Sequence, residues 1–236
     1  LSDYLNKVND IQKNTSNILL FAFAGHDTTG HTLTWLFYEL SRNFNIQKKL
    51  CEEVDIFFKE QGNRKIKYDD FKRLPYMKRC IAETLRLWPA LANGTYRELQ
   101  HDDYIRVNGS NIMIPKGTYI QIPNIIRHRS KKLWGEDAMV FNPDRNFTED
   151  EIWHNNMSGI NMESKRYSPF SFNRRSCIGR PFAHIEMRLI ILYLLKDNYF
   201  MLSKNQKREN LEFNKGTMGP KNNIKKFPVH KMLLNL

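Results

Sequence analysis

The run Ile18 to Ala24 is apolar and leads without a turn residue into Ala24-Gly25-His26-Asp27-Thr28-Thr29-Gly30. Ile18, Leu19, Phe21, Ala22 and Phe23 are apolar almost all round a helical turn, a pattern that predicts a buried helix. Residues 1–45 therefore read as one long helix, with Asn14 as its one candidate break. Its middle breaks the local rules. Each helix-interior glycine costs about 1 kcal/mol against alanine, and buried polar groups need partners. Such a conflict between local preference and position marks a functional site. The apolar run is also far shorter than the ~20 residues that cross a bilayer.

A chain built round this helix must be mainly helical, and the rest of the sequence agrees. Residues 46–60 form a second amphipathic pattern, ended by Gly62-Asn63, and Asp69 or Asp70 can cap a short turn. Pro75 opens a helix over 76–87, and Pro89 stops it. Residues 95–122 alternate instead (Tyr104, Ile105, Val107, Ile112, Ile114, Tyr119), with turns at Asn108-Gly109 and Pro115-Lys116-Gly117, which predicts short strands. A helical stretch follows Pro123 to about Arg129. Residues 130–176 are long and irregular, as functional loops are. A strong helix runs from Gly179 or Arg180 to Lys196, and 197–236 read as short strands. The fold class expected is mainly α with small β-sheets.

Composition narrows the function classes only modestly. At 41% hydrophobic and 12% aromatic, the chain can build a core and is not generally disordered. With 37 basic and 25 acidic residues, the net charge is +12, which favours an anionic partner: nucleic acid, acidic protein or anionic membrane. The charge is scattered, with its densest spots at Lys72-Arg73, Lys78-Arg79, Arg127 to Lys132 and Arg174-Arg175. No recognition motif or aromatic-basic interleaving supports nucleic acid. Three cysteines, Cys51, Cys80 and Cys177, give an odd count that fits a reducing compartment better than a disulfide scaffold. His26, His128, His154 and His184 match no zinc spacing, and His128, among arginines, is expected on the surface.

Three constellations can carry chemistry. In Phe170-Ser-Phe-Asn-Arg-Arg-Ser-Cys177-Ile-Gly179 a cysteine ends an irregular loop just before a helix. The helix N-terminus, with Arg174, Arg175 and Arg180, favours a thiolate that could be nucleophile, redox sensor or soft metal ligand. Glu83 and Arg86, at i and i+3, share a helical face and can pair. Asp27 beside Thr28 and Thr29 can relay protons, or a threonine there can bond back to its own helix.

Taken in this order, the motifs resemble the signature set of the cytochrome P-450 family. Ala24-Gly25-His26-Asp27-Thr28-Thr29 matches the distal-helix pattern A/G-G-x-D/E-T-T/S, and Glu83 and Arg86 match E-x-x-R. Phe141-Asn142-Pro143-Asp144-Arg145 matches F-x-P-x-R. Phe170, Arg175, Cys177 and Gly179 match the heme loop F-x-x-G-x-R-x-C-x-G. One position departs: Asn173 stands where the loop has glycine, and asparagine is the best substitute at a positive φ.

The resemblance implies the C-terminal portion of the cytochrome P-450 fold, from distal helix to heme loop and last helix. Residues 1–236 would form one heme domain lacking its N-terminal half. The implied cofactor is heme b (iron protoporphyrin IX), with Cys177 as proximal ligand and metal-binding residue. Arg97 and Arg175 would hold propionates, with Phe170 and Gly179 completing the cofactor site. Glu83, Arg86 and Arg145 would form a buried charge network. Asp27 and Thr28 would deliver protons, and Gly25 would let substrate approach. The implied reaction is monooxygenation of a small hydrophobic or lipid substrate, drawing electrons from a reductase or ferredoxin. Trp134-Gly-Glu-Asp-Ala138 resembles the fatty-acid hydroxylase branch. A separate N-terminal segment is a further expected partner. Two alternatives stay open: a non-catalytic remnant that binds heme weakly or not at all, and a basic protein binding nucleic acid or a membrane surface.

Overall fold

The computed structural model describes residues 11–148, 151–152, 164 and 166–202. The start of the first helix, His154 and most of the predicted C-terminal strands lie outside these residues. The helices are α1 (Ile11–Arg42), α2 (Phe44–Gln61), α3 (Pro75–Leu87), α4 (Asn124–Arg127), α5 (Lys131–Trp134) and α6 (Arg180–Leu195). Single 3-10 segments occupy Tyr68–Arg73 and Asn173–Arg175. The strands are β1 (Thr95–Glu98), β2 (Asp103–Val107), β3 (Ser110–Ile114) and β4 (Tyr119–Ile122). The fold is thus mainly helical with two small antiparallel sheets, β1–β4 and β2–β3. Among the described residues no helix is long and apolar enough to cross a membrane.

The core lies where α1, α2, α3 and α6 meet. Leu36, Leu40, Val54, Met77, Ile81 and Ile191 are fully enclosed there. The break between α1 and α2 falls at Asn43, whose side-chain amide donates to the Glu39 carbonyl at 2.8 Å. That bond offers the chain a local alternative to continuing the helix. At the other end of α2, Gly62 adopts φ 55° and donates to Phe58 O at 3.1 Å.

The start of α3 uses a device with no local sequence signal. Pro75 occupies the first turn and Leu74, ahead of it, offers no capping group. Glu53 of α2 reaches across instead, accepting the N–H groups of Tyr76 at 2.7 Å and Met77 at 2.8 Å. A carboxylate at this position satisfies two orphan donors and complements the helix dipole.

The expectation of a buried α1 holds only for its second half. Leu33, Trp35, Leu36, Tyr38 and Leu40 are buried, whereas Ile18, Leu19, Leu20 and Phe23 are all at least half exposed. The sequence pattern records which side chains favour burial; it does not supply the surface that covers them. Among the described residues, α2, α3 and α6 all meet α1.

The β2–β3 hairpin turns on Asn108 (φ 50°) and Gly109 (φ 87°), the two left-handed residues that a tight hairpin requires. In the other sheet, Thr95 pairs with Ile122 and Arg97 with Ile120. Gly94 leads into β1 at φ 67°, and a Cβ there would lie 1.8 Å from the Ile122 carbonyl oxygen. Only glycine allows that approach. Gly94→Ala is expected to lower stability by about 1–3 kcal/mol through strain and backbone displacement. Gly62→Ala, with a positive φ but open space around it, should cost about 1 kcal/mol. Thermal unfolding of both variants checks the order; equal losses would contradict it.

Candidate functional site

Glu83 and Arg86 lie on α3 with no exposed surface. The pair is bidentate: Arg86 Nε donates to Glu83 Oε2 at 2.7 Å and Nη2 to Oε1 at 2.8 Å. Arg145 joins from the far side, its Nε 3.3 Å from Glu83 Oε1. The remaining guanidinium hydrogens go to carbonyls. Arg86 reaches those of His128 at 2.6 Å and Ala138 at 2.7 Å. Arg145 reaches those of Trp134 at 3.1 Å and Asp137 at 2.9 Å, and the Asp137 carboxylate at 2.8 Å. The Asn142 N–H also donates to Glu83 at 2.9 Å. Burial works against the Arg145 charge, but Asp137 and Glu83 outweigh it and hold its pKa above the ordinary value. The Arg145 hydrogen bond in turn holds the Asp137 carboxyl below its ordinary range.

The backbone carbonyls of Trp134, Asp137 and Ala138 therefore hold the loop onto the network, and Asp137 adds a side-chain hydrogen bond to it. A second clamp, absent from the sequence reading, lies beside it. Buried Glu151 accepts from Arg166 Nε and Nη2, each at 2.7 Å, and from the Thr148 N–H at 2.9 Å. The Thr148-x-x-Glu151 spacing is a local signal that could have found it. Arg166 also lies over the Trp134 ring, 4.2 Å from its centroid.

His128 corrects an expectation. It is completely buried rather than on the surface, because its arginine neighbours turn away from it onto other groups. Arg127 bonds Ser168 Oγ and Asn124 Oδ1, and Arg129 bonds the Leu87 carbonyl. His128 Nε2 accepts the N–H of Ser168 at 3.0 Å. Its own carbonyl accepts from Arg86. Tyr167, the residue before Ser168, donates its hydroxyl to the Ala82 carbonyl at 3.0 Å. His128 thus links α3 to the segment Ser168-Pro169-Phe170 that leads into the cysteine loop.

That loop closes through the Cys177 N–H, which donates to the Phe170 carbonyl at 2.8 Å. The Arg180 N–H donates to the Cys177 carbonyl at 3.3 Å as α6 begins. The loop's left-handed residue is Ser171 (φ 62°), whereas Asn173 opens the 3-10 turn Asn173–Arg175. The glycine-like backbone freedom is therefore used two residues earlier than expected, and the substitution at Asn173 meets a right-handed turn that any residue can adopt.

The three cysteines separate sharply. Cys51 and Cys80 are buried, and burial pushes both thiols above their ordinary range. Cys177 is exposed, next to Gly179 and the exposed Arg174 and Arg175. Among the described residues, no group of three or more His, Cys, Asp and Glu could hold an ion between them. An accessible soft sulfur at the start of a helix suits a metal that takes one thiolate from the protein and its other ligands from a macrocycle. On this donor chemistry the loop fits heme. Arg97 stands apart on β1, half-buried, its Nη1 on the Tyr96 carbonyl at 2.8 Å.

On α1, Thr28 Oγ1 donates to the Ala24 carbonyl at 2.8 Å, so the back-bonded alternative is the one adopted. Asp27 Oδ2 lies 3.7 Å from His31 Nδ1 one turn later. Around Gly25 a Cβ would meet nothing within 4 Å among the described residues, which leave the space beside it open.

Two outcomes follow. Glu83→Leu leaves two buried guanidinium groups without their shared carboxylate and should cost about 3–5 kcal/mol; a denaturant titration reads this, and a loss below 1 kcal/mol would contradict it. Burial, with Arg127 and Arg86 nearby, pushes the His128 pKa from its ordinary 6.5 down to about 3. Between those values the unfolded chain binds a proton that the folded chain refuses, so stability is complete above pH 6.5 and falls as pH drops toward 3. The expected slope contribution is up to about 1.4 kcal/mol per pH unit. His128→Gln, which keeps an acceptor but cannot titrate, should flatten the stability profile between pH 6.5 and 4; an unchanged slope would contradict the assignment.

Comparison with known proteins places this geometry in a family. Cytochrome P450 3A12 of Canis lupus familiaris is 34% identical over 182 residues, covering 77% of this chain and 33% of its own length. Cytokinin hydroxylase of Arabidopsis thaliana is 35% identical over 189 residues, covering 78% of this chain and 32% of its own. The bifunctional cytochrome P450/NADPH–P450 reductase of Aspergillus oryzae is 33% identical over 189 residues, covering 79% of this chain and 16% of its own. The chain spans about a third of the length of such relatives, and less of the bifunctional one. The cytochrome P450 family model matches residues 6–227, and the chain, with its Glu83–Arg86–Arg145 network and exposed Cys177 ahead of α6, belongs to the cytochrome P450 family, whose members bind heme b.

Proposed function

We propose that this chain is the Cys177-bearing portion of a heme-thiolate monooxygenase that hydroxylates a small hydrophobic substrate, lipid-like molecules among them. The observation that carries the reading is the exposed Cys177 thiol at the start of α6, on a loop joined by the buried Ser168–His128–Arg86 bonds to the charge network. Bound there, heme would supply the activation of dioxygen with two electrons.

The chain's own residues would do the rest. Cys177 Sγ would hold the iron, with the network keeping its loop from shifting. The guanidinium groups of Arg97 and Arg175 would take the propionates by charge-assisted hydrogen bonds. Phe170 and Gly179 would flank the sulfur. Asp27 would hold a proton at its carboxylate and Thr28 at Oγ1, passing it toward the pocket once Thr28 leaves the Ala24 carbonyl. The exposed apolar stripe of α1 and the open space beside Gly25 call for a covering surface. We assign that role to further polypeptide of the same fold, in the same chain or as a separate segment, which would shield the open side of the site while Cys177 supplies the protein's ligand.

An electron-donor protein completes the scheme. The Aspergillus oryzae relative carries a reductase in its own name, which supports a partner of that kind. Of the basic spots in the sequence that could meet it, Lys72 is paired with Asp69 and Arg73 with Glu60. Arg79 and the exposed Arg174, with Lys78, are further candidates for an acidic surface.

The test is the absorption spectrum of the reduced, carbon-monoxide-bound protein with heme supplied. A red-shifted thiolate band is expected for the parent chain and for Cys51→Ala, and its loss for Cys177→Ala. The same band in Cys177→Ala would overturn the ligand assignment, and a parent that takes up no heme would favour the remnant reading.

A further inference from the structure

The two halves of α1 differ in what holds them. The residues proposed to handle protons, Asp27 and Thr28, sit at the edge of the exposed half, while the buried half is fastened to the end of α3 by one stack. Trp35 of α1 and Trp88, the residue that ends α3, lie ring on ring, 3.7 Å between centroids and 1° between planes. Trp88 also donates its indole N–H to Glu39 Oε1 of α1 at 2.9 Å. On its other side lies the Arg129 guanidinium, 4.7 Å from the ring centroid, and Arg129 Nε is bonded to the Leu87 carbonyl at 2.8 Å. Beyond Trp35 the packing continues edge-on to Tyr38 at 5.5 Å, with Arg42 over that ring at 5.4 Å. Glu39 is buried and takes a second bond from Asn43 Nδ2 at 3.3 Å.

Stacked aromatic pairs contribute about 0.5–1.5 kcal/mol beyond their buried area, and a guanidinium on an indole face adds a comparable amount. Geometry matters more here than energy. The face-to-face overlap sets the separation of the two elements, and the indole N–H to Glu39 sets the rotation of α1 about its axis. Thr28 precedes Trp35 by two helical turns, about 10 Å. A tilt of roughly 6° at Trp35 would carry Thr28 about 1 Å, a misplacement of the size that lowers catalytic rates on the order of a hundredfold.

We propose that Trp88 is a positioning residue: through Trp35 and Glu39 it sets the placement of the Asp27–Thr28 turn of α1 relative to the Glu83–Arg86 network on α3. Its bearing on catalysis rests on the monooxygenase reading; its mechanical part does not. The end of α3 thus performs two tasks, with Arg86 reaching toward the loops and Trp88 holding α1.

The test is backbone hydrogen exchange across the 236-residue chain in the parent, Trp88→Phe, Glu39→Leu and Glu39→Gln. Trp88→Phe keeps an aromatic ring but loses the N–H, and Glu39→Gln keeps an acceptor that Glu39→Leu removes. Trp88→Phe and Glu39→Leu should speed exchange over residues 24–34 by about tenfold, a local opening without global unfolding. Amides of Glu83 to Leu87 should stay within about twofold of the parent, and Glu39→Gln should restore the parent pattern. Near-ultraviolet circular dichroism should show the coupled signal of the stacked indoles in the parent and its loss in Trp88→Phe. Unchanged exchange over 24–34 in both disruptive variants, or equal acceleration on α3, would overturn the proposal. A parent without a thiolate band would instead remove the monooxygenase reading and leave the exchange result to stand.

Discussion

The Glu83 carboxylate sits between two guanidinium groups in a place water does not reach. Removing ions of this size from water costs several kcal/mol each, so the arrangement survives only because nearly every proton is used. Arg86 and Arg145 give theirs to the carboxylates of Glu83 and Asp137 and to the carbonyls of His128, Trp134, Asp137 and Ala138. Those carbonyls belong to segments with little regular structure of their own. In place of a sheet, buried charge satisfies the backbone of the loop region, and the demand for complete satisfaction makes the loops adopt one conformation.

The cysteine loop inherits that rigidity at second hand. Its approach, Ser168 to Phe170, is tied to His128, and His128 is tied to Arg86. A neutral imidazole accepting a backbone N–H is well suited to this, since it adds no third charge beside two arginines. Where Cys177 is concerned, the local backbone asks little more than the Phe170–Cys177 bond and a left-handed Ser171. The Cys177 sulfur is thus the exposed end of a buried chain of hydrogen bonds that begins on α3.

How much of this could be read from the residues varies with the range of the interaction. The ends of α2 and α3 and the β2–β3 turn follow from Gly62, Pro75 and Asn108-Gly109, all of which act within a few positions. The Glu83–Arg86 pair is visible as an i,i+3 spacing, but its burial is not, and Arg145 joins it across a sequence gap that periodicity cannot see. The same limit hid the Glu53 cap on α3 and the Glu39–Trp88 bond. His128 was misplaced because flanking arginines suggest solvent; the arginines instead turn onto backbone and hydroxyl oxygens. The apolar first half of α1 was misjudged for a different reason. Its residues favour burial, but the described residues supply little to cover them.

Electron paramagnetic resonance of the ferric, heme-supplied protein tests the central claim most directly, because it reports the axial ligand without substrate, reductase or turnover. The account predicts a rhombic low-spin signal with the narrow spread of g-values that a thiolate ligand produces. A wide spread of the kind given by paired imidazoles, or the same signal from parent and Cys177→Ala, would mean that Cys177 does not hold the metal.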